Sequence, residues 1–134
     1  RLAPSALNRQ MWHFYVVSNP DLIQQLQVNC RNQKQVGEAP VIIVVCSTLE
    51  RVMSCGQKAS TVDCSIALSF MMLEAETQGL GTCWLGSFDE PAVKQTLNIP
   101  SEYDVVAITP LGYPNEQPAA RPRKTLDEIV TYIK

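Results

Sequence analysis

Ile66-Ala67-Leu68-Ser69-Phe70-Met71-Met72-Leu73 leads through Glu74–Gln78 into Gly79-Leu80-Gly81-Thr82-Cys83-Trp84-Leu85-Gly86-Ser87-Phe88. A strongly apolar helical segment thus runs into a loop with three glycines in eight residues. Gly79 is placed to end the helix, and a glycine-rich backbone can turn tightly and approach a ligand closely. Such a loop can aim bare N–H groups at the edge of a flat cofactor. The same residues also read as a helix C-cap followed by a buried strand. The loop alone does not choose between the two.

The helix before the loop is predicted from Asp63 to Gln78, with Thr61 or Asp63 as its cap. Cys64, Ile66, Ala67, Leu68, Phe70, Met71, Met72, Leu73 and Ala75 cover nearly its whole circumference. A helix that is apolar all round is expected to be buried all round. A chain of 134 residues has few elements with which to enclose one helix. Either a second copy of the chain covers it, or it is the central helix of a monomeric core.

The flanking segments read as strands and helices that mix without strict alternation. His13–Ser18, rich in aromatic and β-branched residues, reads as a strand. Asn19 caps a helix with Pro20 at its first position and Leu22, Ile23, Leu26 and Cys30 on its apolar face. Val41–Cys46 is a continuous apolar run, a strand buried on both faces. Leu49–Ser60 reads as a surface excursion. Asp89 caps a short helix through Leu97, and Asp104–Leu111 is another buried strand. Pro114–Lys124 has no apolar period and reads as an extended arm, on its own surface or a partner's. Thr125 and Glu128 have capping-box spacing for a last helix. The pattern defines an α+β class, a single domain over 1–134.

A net charge of −2 argues against a nucleic-acid surface. No apolar run reaches the roughly 18 residues needed to cross a membrane. The five cysteines form no Cys-x-x-Cys pair, so zinc and thioredoxin-like readings lack their spacing, and no metal is expected. Cys46 and Cys64 read as buried thiols, and a reducing, cytoplasmic compartment fits that usage.

Two further stretches complete the picture. One is Ala3-Pro4-Ser5-Ala6-Leu7-Asn8-Arg9-Gln10-Met11-Trp12 near the start. The other is Pro110-Leu111-Gly112-Tyr113-Pro114, followed by Arg121-Pro122-Arg123-Lys124-Thr125-Leu126. Alone, Asn8 and Gln10 belong equally to a solvated polar loop, and Arg121 and Arg123 to a solvated arm. Taken in order with the glycine loop, the three stretches resemble the FMN-dependent nitroreductase family from about Arg1 to Val130.

That resemblance implies a central mixed β-sheet flanked by helices, in an intertwined homodimer with a buried central helix. It implies FMN as cofactor and NAD(P)H as reductant, with hydride passing through flavin N5 to a nitroaromatic or quinone. Pro4, Ser5, Ala6, Asn8 and Gln10 match the segment that lines the flavin, usually that of the partner subunit. Leu85 and Gly86 match the place where a backbone N–H meets N5. Leu85 stands where some relatives carry an acidic residue. Arg121 and Arg123 match a basic pair on the phosphate. Lys58 is a weaker candidate for the N1–C2=O edge, and His13, the only histidine, has no second catalytic group beside it. Family members also carry an N-terminal helix with a basic segment on the phosphate. This sequence begins after that point, so weak FMN binding is expected of it. A flavin-storing protein and a non-catalytic remnant of the fold are the alternatives to an enzyme.

Overall fold

The computed structural model describes Arg1–Lys134. Its elements follow one another as β1 (Trp12–Val17), α1 (Pro20–Asn29), α2 (Lys34–Glu38), β2 (Val41–Ser47), α3 (Ala59–Thr77), β3 (Gly81–Thr82), α4 (Glu90–Leu97), β4 (Asp104–Gly112) and α5 (Leu126–Ile129). The four strands form one sheet in the order β1-β2-β4-β3. Every neighbouring pair is antiparallel, so the sheet is not the mixed one implied by resemblance. The reason lies in the connections. The α1–α2 hairpin returns the chain to the end of the sheet it left, with Val17 opposite Ile42.

Strand alternation divides the core between two faces. On one side Ile42, Val44, Cys46, Val105 and Ile108 pack with Ile23 and Leu26 of α1, Val36 of α2 and Val93 of α4. On the other, Val45 and Ala107 pack with Cys64 and Leu68 of α3. A register shift between Val45 and Cys46 lets Val106 join Ala107 on the α3 side. The result is an α+β arrangement with helices on both faces of the sheet.

Local chemistry explains the element ends. Asn19 Oδ1 accepts from the Asp21 and Leu22 N–H groups at 2.9 and 3.1 Å, and Asp89 Oδ1 accepts from Ala92 N–H at 3.1 Å. At the end of α3, Gly79 has φ +74°. Its N–H donates to Glu76 O and that of Leu80 to Ala75 O, closing a Schellman turn.

Two features of α3 differ from the sequence reading. The helix begins at Ala59, one turn earlier, with Lys58 at the cap position and no side-chain cap. The excursion before it explains this: Val52 and Lys58 pair across a tight turn, and Ala59 N–H donates to Arg51 O. The excursion is thus a small hairpin that delivers the chain directly into the helix. Nor is α3 enclosed within one chain, since Phe70 and Leu73 are 49% and 69% exposed. The sheet covers one face of the helix only.

From Tyr113 onward every residue is exposed. The arm ends in α5, which keeps its capping box, with Glu128 Oε2 accepting from both the N–H and the hydroxyl of Thr125. No helix is long and apolar enough to cross a membrane.

Candidate functional site

The glycine loop is held at both ends. On the incoming side Cys83 N–H donates to Thr109 Oγ1 at 3.2 Å. Leu85 then pairs with Ile108 of β4: its N–H donates to Ile108 O at 2.9 Å, and Ile108 N–H donates back at 3.1 Å. On the outgoing side Asp89 N–H reaches Asn29 O, and the Gln33 amide donates to Ser87 O at 3.2 Å. Between these anchors Gly86 is exposed, and its N–H has no partner in the chain. A Cβ added there would meet no atom within 4 Å.

This separates the two residues named from sequence. Leu85 cannot lend its N–H, because β4 already takes it, and its side chain lies in the core at 4% exposure. Gly86 offers a free donor on an open surface. Gln33 takes part in fixing that donor, and sequence reasoning missed it; the only signal was its place in the α1–α2 turn.

The N-terminal loop is unusual in its backbone. Leu7, Asn8 and Gln10 have φ of 55°, 53° and 51°. Non-glycine residues pay about 1–2 kcal/mol each for this left-handed region, and such conformations persist only where surrounding bonds fix them. The bonds are present. Gln10 N–H donates to Ser5 Oγ at 3.0 Å, Asn8 N–H to Ser5 O at 2.9 Å, and Arg9 N–H to Ala6 O at 3.2 Å. The Gln10 amide donates to Asn8 O and Oδ1. Pro4, Asn8 and Gln10 are exposed, while Ser5 and Ala6 are half-buried.

Asp63, expected as a helix cap, has a different role. It lies inside α3 at 2% exposure, and both carboxylate oxygens accept the Ala6 N–H, at 3.2 and 3.1 Å. Lys58 is engaged by Glu50 at 2.7 Å, a bond that raises its pKa. His13 is exposed on β1, with its ring edge against Tyr15 at 4.9 Å. Arg121 and Arg123 are exposed on the arm and form no ion pair or hydrogen bond within the chain.

One chain does not bring these groups together. No hydrogen bond links the N-terminal loop, the glycine loop and the arginine pair. Two of the surface concavities adjoin these segments. One, about 500 Å³, is an apolar groove between the start of the chain and α3, lined by Leu2, Ile43, Phe70, Met71 and Leu111. The other, about 520 Å³, has a mixed polar and apolar lining and lies beside β3 and the end of β4, between Gln35, Cys83, Gly112 and Tyr113. Neither is lined by the flavin-site candidates Pro4, Ser5, Ala6, Asn8, Gln10, Leu85, Gly86, Arg121 and Arg123. All five cysteines are free thiols. Burial pushes Cys30 up to about 11; it also pushes Cys46 and Cys64 up to about 12, helped by the nearby thiol or carboxylate. These three are packing groups, not nucleophiles.

Comparison with known proteins gives the class. Residues 23–113 match the Nitroreductase family, and the chain belongs to it. It is 33% identical over 124 residues to a "Putative NADH dehydrogenase/NAD(P)H nitroreductase" of Methanothermobacter thermautotrophicus, covering 88% of this chain and 63% of that protein. The chain therefore spans less than two thirds of that relative's length. A nitroreductase family protein from Clostridium novyi NT superposes with a TM-score of 0.80 at 33% identity, over 84% of this chain and 68% of that one. A structure from Clostridium difficile R20291, described as an FMN-dependent nitroreductase, gives 0.80 at 26% identity, over 97% and 80%.

Proposed function

We propose that this chain is an FMN-dependent oxidoreductase that takes reducing equivalents from NAD(P)H and passes them to a small acceptor such as a nitroaromatic or quinone. The observation that carries the reading is the unpaired Gly86 N–H on an open surface, between backbone anchors on both sides. FMN, when bound, supplies hydride transfer at N5.

The residues fit that cofactor. Gly86 would hold the N5 edge through a backbone donor with no side chain in the way. Asn8 and Gln10 carry amides that donate and accept, on a loop whose left-handed backbone is fixed from within. Pro4, Ser5 and Ala6 shape that loop. Arg121 and Arg123 are free to fork onto phosphate oxygens. Leu85 contributes by packing, not by donating.

The site is proposed to lie between two chains. Phe70 and Leu73 of α3 and the apolar residues of the arm, Leu126, Ile129, Tyr132 and Ile133, are all exposed in one copy. A second copy can cover both sets and bring the N-terminal loop of one chain to the glycine loop of the other. The chain's own residues then bind the flavin, exclude water from one of its faces and leave the other open to a stacked reductant or acceptor. This reading is tested by titrating the protein with FMN and following flavin absorbance. One flavin per chain, two per dimer, is expected; absence of binding at millimolar FMN would refute it.

A further inference from the structure

Asp63 carries a cost that its place in the helix does not explain. Its carboxylate is 2% exposed, has no cation within ion-pair distance, and has only the Ala6 N–H as donor. Burying a charged group with so little compensation is unfavourable. A helix interior of this kind is better served by an apolar residue unless the carboxylate has a task elsewhere.

We infer that Asp63 is a positioning residue for the flavin-facing loop, setting the backbone of Ser5–Gln10 from beneath. The connection is a short chain of bonds. Asp63 fixes residue 6 from both carboxylate oxygens. Ala6 O then receives the Arg9 N–H, while Ser5, through its carbonyl and hydroxyl, receives the Asn8 and Gln10 N–H groups. The left-handed residues Asn8 and Gln10 are thus tied to Ser5, whose peptide link to Ala6 is the one that Asp63 holds. A charged acceptor makes a stronger bond than a neutral one, which suits a single anchor that must offset backbone strain. Because both oxygens share one N–H, the acceptor tolerates small shifts of the loop without losing the bond. The inference rests on the proposal that Asn8 and Gln10 line the flavin.

The test uses the full chain with Asp63→Ala, Asp63→Asn and Ala6→Pro. Asp63→Asn keeps an acceptor. Ala6→Pro removes the same bond from the loop side without touching α3, and the extended backbone of Ser5 (ψ 156°) is the one that a following proline favours. Amide exchange is measured without FMN; FMN affinity and the visible circular dichroism of bound flavin are measured with it. In Asp63→Ala, the Asn8 and Gln10 amides are expected to exchange about tenfold faster, with the Leu68–Leu73 amides unchanged, and FMN affinity to fall about tenfold. The flavin dichroism should change with it. Asp63→Asn should stay within about threefold of the native chain in both measurements. If Asp63→Ala does not fold, Ala6→Pro supplies the same readout. Unchanged loop exchange in both would overturn the inference, showing that Asp63 does not hold the loop. Faster exchange with unchanged FMN affinity and dichroism would also overturn it, while leaving the flavin reading intact. A native chain that binds no FMN, yet shows the exchange effect, would remove the flavin reading and with it the positioning role.

Discussion

Leu85 and Ile108 exchange both of their backbone hydrogen bonds, at 2.9 and 3.1 Å. This single pairing decides which N–H of the glycine loop is available. Leu85 is locked to β4 with its side chain in the core, and the next residue, Gly86, faces outward with its donor free. Substitutions at the two neighbours should therefore act on different properties. Leu85→Ala leaves a cavity and should cost about 2–5 kcal/mol of stability. Gly86→Val should change stability by no more than about 0.5 kcal/mol, yet weaken FMN binding at least about tenfold by obstructing the ring. Thermal melts and flavin titrations on both variants check the division.

The shared-site proposal predicts complementation. Chains carrying Asn8→Ala and Gln10→Ala should bind flavin poorly, as should chains carrying Gly86→Val. Mixed heterodimers should regain one intact site per dimer. Flavin content of mixtures that never exceeds that of the parents would place all contacts in one chain.

Phe70 is half exposed in a single chain, so Phe70→Glu should be nearly neutral for a monomer, within about 0.5 kcal/mol. If α3 is covered by a second copy, the same change buries an unpaired charge and should weaken the dimer by several kcal/mol, roughly 3–5. Light scattering across a dilution series distinguishes the two results.

Arg121 and Arg123 are exposed and form no ion pair or hydrogen bond in the chain, so replacing both with Ala should leave the melting temperature unchanged. FMN affinity should fall by at least about tenfold for each charge-assisted bond lost. The native chain's affinity should also decline with added salt, and the double variant's should decline less.

Glu90 gives a pH prediction. Burial pushes its carboxyl up, but the Val105 N–H and the Lys94 ammonium outweigh this and hold it below the usual range. A folded pKa below the unfolded one stabilises the fold fully above about pH 4.3, and the contribution is lost as pH falls through the folded value. Glu90→Gln should therefore cost about 1 kcal/mol at pH 7 and progressively less as acid protonates the carboxylate. Urea unfolding of both proteins across that range measures the difference. A gap that widened toward acid would contradict the assignment.

Much of the architecture was legible because its signals are local. Asn19 and Asp89 cap the helices that follow them, and Gly79 closes α3, through bonds spanning a few residues. What sequence could not give depends on contacts between distant segments. Asp63 has the residue type and position of a cap, but its partner lies 57 positions away. The choice between the Leu85 and Gly86 donors is made by β4, more than 20 residues downstream. The sheet's direction follows from the α1–α2 return, and α2 itself carries only Val36 as a buried residue. Arg121 and Arg123 are exposed without an ion pair or hydrogen bond in one chain, so no intrachain pattern could have placed them.

The central claim is that a flavin held at Gly86 carries electrons from NAD(P)H to an acceptor. Anaerobic addition of NAD(P)H to the FMN-loaded protein, followed at the visible flavin band, tests it most directly. The account predicts bleaching, with full recovery of the band on adding a quinone or nitroaromatic, and loss of both responses in Gly86→Val. A flavin that stays bound and oxidised in the presence of NADH and of NADPH would contradict it and leave a flavin-binding protein without turnover.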